Sequence, residues 1–295
     1  MKAALNAGSN FWNGGDFYGT PEYNSLHLLK AYFEKYPEDA DKVVLSIKSG
    51  LNAQFHADGS VETVKAKLDE YQKHLGGVKK LDIFEYARVP TNVDFYTVTL
   101  PELQKYVDNG TIGGIGLSEV NAATIRKAAQ VVKVAAVEIE LSLWSTDILT
   151  NGVGEAAGEL GIPLIAYSPL GRGILTGQIK SMDDLPEGDL RRGYPRFQPD
   201  VFQLNLELVR RLEEVAAKNG WKPSQLAIAW TRQVSQQIKG HPTILPIPGA
   251  TTEARVLENT KVVELDEETL KEISRILAEV EIVGGRYPKG MPIEG

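Results

Sequence analysis

The strongest constraint in this chain is a rhythm. Short apolar runs rich in β-formers alternate with helical patterns almost from end to end. Strands are expected at 10–13 (NFWN), 42–48, 81–89, 112–118, 135–142, 163–170 and 243–249. The helices between them carry recognisable punctuation. Ser60 can cap 61–75, where Val64, Leu68, Tyr71 and Leu75 recur at helical spacing. Pro101 and Gly110 bracket another helix, Gly161 closes a third, and Asp266 followed by Glu267 and Glu268 opens a fourth. Repeated β-then-α units with near-continuous apolar strands imply a parallel sheet covered by helices on its outer face.

A doubly wound sheet and a closed barrel both satisfy that pattern. No GxGxxG follows the first strand, which weakens a dinucleotide-type open sheet. Polar and glycine-rich residues follow nearly every strand instead, and barrels collect their sites at that C-terminal face. The expected fold is therefore α/β, a TIM (β/α)8-type barrel in one domain over 1–295. Seven strands are counted where such a barrel has eight, and "MKAALNAGSN" reads as helix leading into strand 10–13. The expectation is seven parallel strands with the first one missing. An open edge of that kind invites self-association with another chain.

Composition narrows the function classes. The formal net charge of −7, without a clustered basic stripe, disfavours nucleic acid. There is no cysteine, and the four histidines show no paired metal spacing, so no metal site is expected. No apolar run is long enough for a membrane span, and the N-terminus does not resemble a signal peptide. A cytoplasmic protein acting on a small molecule is the expectation. The stretch 182–203 is long and irregular, and loops of that length are often lids.

Candidate chemistry clusters at strand ends. Tyr18 and Lys48 fall at or just beyond the ends of consecutive strands. Neighbouring strands lie about 5 Å apart. An ammonium beside a phenol lowers its pKa and makes it a usable proton donor. A surface tyrosine next to a solvated lysine is the plainer alternative, and these two residues alone leave it open. Later strands add Ser118, Glu119, Glu138 and Tyr167, then the glycine turn of "AYSPLGRGILTG". Backbone N–H groups of such a turn can cradle a phosphate, and an aromatic can stack on a flat ring. Arg255 and Asn259 open the helix after the last strand, where a phosphate would meet a helix N-terminus and a guanidinium. An ordinary helix-surface arginine carries equal weight there.

The order of "FYG", "KSG", "GLSE", "SLWS", "AYSPLGRGILTG", "YPRFQPDVF", "QLAIAW" and "PIPGATTEARVLEN" resembles the aldo-keto reductases over nearly the whole chain. The resemblance implies a (β/α)8 barrel, here N-terminally truncated, that binds NADPH across its C-terminal face and passes hydride to a carbonyl. It implies that Tyr18 is the proton donor and Lys48 its partner. It assigns Ser118 and Glu138 to the carboxamide, and Tyr167 to stacking on the nicotinamide. Ser168, Leu170, Gly171 and Gly173 fall in the pyrophosphate segment, Arg255 at the 2′-phosphate, and Asn259 with Glu258 at the adenine. Glu119 stands where many relatives have Asn.

Two departures mark a branch. Asn13 stands where the family usually has Asp, and Ala87 where it usually has His. These, with the "WN-GG-FYG" and "ARV" segments, most resemble the fungal pyridoxal reductases. The implied reaction is reduction of pyridoxal to pyridoxine, with a broader aldehyde or ketone reductase as the near variant. A non-catalytic NADPH-binding scaffold is the reading from another class. With Asn13 neutral, Glu85 is the expected counter-ion of Lys48 and so joins Tyr18, Lys48 and Asn13 as a catalytic candidate, with Asp16 second.

Overall fold

The computed structural model describes residues 1–52, 54 and 56–289. One curled sheet carries β1 (Phe11–Gly15), β2 (Val44–Ser49), β3 (Leu81–Tyr86), β4 (Ile112–Ser118), β5 (Val134–Glu140), β6 (Leu164–Tyr167) and β7 (Ile244–Pro246). All six pairings are parallel and follow chain order. This is a TIM-barrel type of α/β sheet with seven strands, as the rhythm of the sequence implies.

The helices form where apolar spacing and caps agree. In α3 (Val61–Leu75) the stripe Val64, Leu68, Tyr71 and Leu75 is buried, and Ser60 accepts from the Thr63 N–H at 3.3 Å. Burying each such side chain stabilises by about 1.5–3 kcal/mol. Helix α6 (Val153–Leu160) stops at Gly161, whose left-handed φ of 64° suits glycine. Asp266 caps α10 (Glu267–Glu279) by accepting from Thr269 N–H at 2.8 Å.

Among the described residues no ladder joins β1 to β7. Residues of both edges, Phe11 to Gly14 and Pro246 to Ala250, line one cavity of about 360 Å³. Thr243 and Ile247 bond β6, so the backbone of Pro246 between Leu245 and Ile247 is turned to the cavity, and Pro246 brings no N–H. That edge is blunted against further pairing, whereas β1 is not. The N-terminal helix α1 (Lys2–Asn6) is tied to the body through Asp39. Asp39 accepts from Lys2 at 2.6 Å, Tyr32 at 2.7 Å and Lys42 at 3.1 Å.

These donors, Lys2 first, hold the Asp39 carboxyl down at about 2. A depressed carboxyl pKa contributes stability that is present above the ordinary value and lost as pH falls through the folded one. Asp39→Asn should therefore lower the melting temperature at neutral pH and flatten its decline between about pH 4 and pH 2. A variant melting with the parent's full acid dependence would show that the Asp39 cluster does not anchor α1.

Candidate active site

The glycines after Asn13 have a packing role. A Cβ on Gly14 would lie 3.1 Å from Ile47 and from Ser25, and one on Gly15 would lie 3.0 Å from the Tyr18 ring. Gly19 has a φ of 123°, and a Cβ there would meet the Tyr23 carbonyl at 2.4 Å. The turn therefore lays the Tyr18 ring directly over Gly15. Gly15 pairs in register with Lys48. The result is a Tyr18 hydroxyl 3.1 Å from the Lys48 ammonium. Tyr18 is 45% exposed as a residue, whereas Lys48 is 6% exposed, so the phenol meets its partner at the cleft floor.

Two buried carboxyls face Lys48 from below. Glu138 contacts the ammonium directly, and Glu85 lies 3.5 Å away. The Asn13 amide donates to Glu138 at 2.6 Å and reaches Glu85 at 3.4 Å. Ser46 donates to Glu85 at 3.1 Å. Glu138, assigned from the sequence to the cofactor carboxamide, is thus the nearer counter-ion, with Glu85 second. Asp16 is engaged elsewhere, with Lys67 at 3.0 Å and Ser49 at 2.7 Å. The sequence expectation of Glu85 as first counter-ion and Asp16 as second is therefore revised, and the neutral amide at 13 bridges the two glutamates.

This packing sets the protonation states. Burial, then the charge of Glu138, pushes the Glu85 carboxyl up to about 8. Burial alone would lower Lys48, but Glu85 and Glu138 outweigh it and the ammonium is held protonated. The Tyr18 phenol is corrected from the sequence expectation. Burial raises its pKa more than Lys48 lowers it, so the group stays a protonated phenol. A proton donor must hold its proton before it can give it, and this one does.

Ala87 lies on the wall of the same cleft, which has a volume of about 710 Å³. From Tyr18 the cleft runs past Ser118, Tyr167 and Ser168 to Arg255 and Asn259. The Ser118 hydroxyl is buried with no hydrogen-bond partner among the described residues. A buried hydroxyl on a cleft wall without a protein partner has hydrogen-bonding capacity to spare. At the far end, Thr252 caps α9 (Glu253–Thr260). The exposed Arg255 guanidinium holds a 3.4 Å contact with Gln178. Glu258 is engaged by Lys222 and by Ser224 at 2.6 Å, while Asn259 faces the cleft.

Other candidates stand differently. Leu170 and Gly173 line the cleft, but Gly171 is buried behind it. The Gly171 and Gly173 N–H groups already bond the Ser168 and Leu170 carbonyls, at 2.8 and 2.9 Å, so they do not form an open phosphate cradle. Glu119 is corrected too. It is fully buried behind Tyr167, accepting from that hydroxyl at 2.7 Å and from Arg286 at 2.9 Å, and does not face the cleft.

Of the stretch 182–203, residues 182–198 fold as a pinned loop of short 3-10 turns, and 199–203 already open the helix Pro199–Lys218, so the loop ends short of the expected 203. Arg192 donates to the Met182 carbonyl at 2.9 Å and Arg191 to the Arg172 carbonyl at 2.9 Å. Phe197 and Phe202 are buried, and none of the cleft-lining residues comes from this stretch. Of the aromatics near the face, Phe17 lines the cleft, while Trp144 and Phe197 stack on each other at 6.0 Å in the interior. Sequence reasoning missed Arg172 and Tyr287, both on the cleft wall. Tyr287 follows the last helix in a segment without periodicity, so no local signal points to it.

The sequence model of the Aldo/keto reductase family matches residues 1–278. Among curated proteins, the chain is 40% identical over 299 residues to "Probable pyridoxal reductase 2" of Schizosaccharomyces pombe, covering 98% of this chain and 87% of that one. It is 34% identical over 296 residues to an aldo-keto reductase of the same yeast whose name carries NADP(+), covering 97% and 84%. Among solved structures, a glycerol dehydrogenase from Gluconobacter oxydans superposes with a TM-score of 0.79 at 22% identity, covering 99% of this chain and 87% of that chain. At that identity the likeness speaks for the fold alone.

Proposed function

The chain belongs to the aldo/keto reductase family, and from that premise we propose that it reduces an aldehyde with NADPH, pyridoxal being the preferred substrate. The observation that carries this reading is the Tyr18 hydroxyl 3.1 Å from a buried, carboxylate-paired Lys48 at one end of a long cleft. NADPH, when bound, supplies the hydride to the carbonyl carbon. Tyr18 donates the proton that the carbonyl oxygen then takes up. Lys48 hydrogen-bonds the Tyr18 oxygen and stabilises the negative charge left on it. Ala87 leaves space beside the phenol for a substrate ring, and Phe17 packs edge-on to Tyr18 at 4.8 Å. The relatives' names favour pyridoxal among aldehydes.

The residues present fit the cofactor. Ser118 offers its unpartnered hydroxyl, Tyr167 a flat face, and Asn259 an amide near the Arg255 guanidinium. A guanidinium on a phosphate contributes about 1.5–3 kcal/mol. Arg255→Ala should therefore raise the Kd for NADPH by about 10- to 150-fold while leaving NADH nearly unchanged. Equal losses for both cofactors in a titration would assign Arg255 to structure. Substrate preference is tested by comparing kcat/KM for pyridoxal, its 5′-phosphate and a plain aromatic aldehyde. Pyridoxal should lead, and a flat profile would mark a broad-specificity reductase.

A further inference from the structure

Past α10 the chain returns to the cleft in a short arm. The Val283 N–H donates to the Asn205 side chain at 2.8 Å, and its carbonyl accepts from Asn205 at 2.9 Å. The Gly284 carbonyl accepts from Arg196 at 3.0 Å. Gly284 has a φ of 98°, and a Cβ there would sit 3.0 Å from the Pro195 backbone, so the crossing needs glycine.

The arm then delivers Arg286 to the interior, where it is 7% exposed. Its guanidinium grips Glu119 with two hydrogen bonds, at 2.9 and 3.2 Å, and Glu140 with one at 2.9 Å. Glu119 in turn accepts from the Tyr167 hydroxyl at 2.7 Å, and the Tyr287 hydroxyl meets the same phenol at 2.6 Å. Arg172 lies between the rings of Tyr194 and Tyr287, at 4.1 and 4.6 Å, and reaches Glu140 at 3.2 Å. Nothing in the proposed chemistry at Tyr18 uses these buried charges.

We propose that the arm 283–287 is a clasp on Tyr167, in which Arg286 is a positioning residue acting through Glu119. The clasp rests on the reading of the cleft as a cofactor site. A tyrosine ring pivots about its side-chain bonds, and this one is held at its far end by Glu119 and Tyr287. Glu119 stays put because a bidentate guanidinium fixes both of its oxygens. Without Arg286, Glu140 keeps Arg172 while Glu119 loses the guanidinium that holds it, and removing one partner of a buried pair leaves a charge uncompensated. Burial pushes the Glu119 carboxyl up, and the Arg286 hydrogen bond and charge bring it below the usual range. The phenol therefore keeps an ionised acceptor, and its ring keeps one orientation toward the cleft.

The test uses the full chain with Arg286→Met, Arg286→Lys and the double variant Arg286→Met with Glu119→Gln. Arg286→Met should raise the Kd for NADPH by about tenfold or more, with a smaller loss of kcat at saturating cofactor. Arg286→Lys should recover part of the affinity. The double variant restores charge balance, so its melting temperature should recover while its NADPH affinity should not. Affinity that tracks melting temperature through all three variants would overturn the clasp and leave the arm a structural tie.

Fluorine NMR of fluorotyrosine-labelled protein, with Tyr167 assigned by Tyr167→Phe, reads the ring without cofactor. Its resonance should shift in Arg286→Met and in the double variant, and an unmoved resonance would refute the clasp. Failure of the parent protein to bind NADPH would refute the cofactor reading instead, and the fluorine signal would still decide the clasp.

Discussion

Tyr18→Phe should lower kcat for NADPH-dependent aldehyde reduction by about 10²- to 10⁴-fold, the usual contribution of a positioned general acid. The ring lies over Gly15 and its edge meets Phe17, so the substitution preserves packing and removes one oxygen. The melting temperature should stay close to the parent's, because nearly half of the residue is exposed. NADPH affinity should also hold, since the phenol oxygen meets Lys48 and the expected cofactor contacts lie farther along the cleft. A loss confined to kcat is the signature of an interaction made in the transition state. Full turnover in Tyr18→Phe would remove the phenol from the chemistry altogether.

The second large effect concerns the two glutamates under Lys48. With Glu85 held up near 8, its carboxyl is protonated and neutral at pH 7. Glu85→Gln should therefore leave turnover near pH 7 little changed. It should erase a pH step near 8, where Glu85 ionisation in the parent would raise the Tyr18 pKa further. The same raised carboxyl pKa means that its contribution to stability is full below about pH 4.5 and is lost as pH rises through 8. The parent's melting temperature should fall across that window more than the Glu85→Gln variant's does.

In Glu138→Gln burial still raises the Glu85 carboxyl but the second cause is gone, so its pKa should fall beside Lys48 and Glu85 should take over as counter-ion at reduced turnover. The double variant has no replacement. Leaving a buried charge without a partner costs about 3–5 kcal/mol. Either Lys48 loses its proton or the protein loses that stability, and turnover should fall well below the sum of the single effects. Additive single and double effects, measured as kcat and as melting temperature, would show that the two carboxyls do not substitute for each other.

Much of the fold was legible because strand period, glycine turns and caps agree locally. The run 112–118 is β4 residue for residue, bounded by a turn at Gly110. The first strand extends through Gly14 and Gly15, beyond the expected 10–13, because glycines can lie against Ile47 and Ser25 without a side chain. Strand β3 ends at Tyr86, short of the expected 89.

The site was legible where it sits on strand ends, as with Tyr18, Lys48, Ser118 and Tyr167. It was not legible where the sheet's curl decides distance. Glu85 pairs in register with Lys48 on the neighbouring strand, so sequence reasoning could reach it. Glu138 comes from three strands away and reaches the ammonium only across the curled sheet. Arg286 and Tyr287 arrive from beyond the last helix, where no periodicity announces them. The exposed Arg255 was placed correctly at a helix start, and the glycine turn before it was not the open cradle that its composition suggested.

The central claim is tested most directly by mixing the purified protein with NADPH and pyridoxal and following absorbance at the reduced-nicotinamide band together with product by chromatography. The account predicts one pyridoxine formed for each NADPH oxidised, with turnover lowered by about 10²- to 10⁴-fold when Tyr18 is replaced by Phe. NADPH that binds in the cleft and stays reduced in the presence of pyridoxal and other aldehydes would contradict it, and would make the protein a cofactor-binding scaffold.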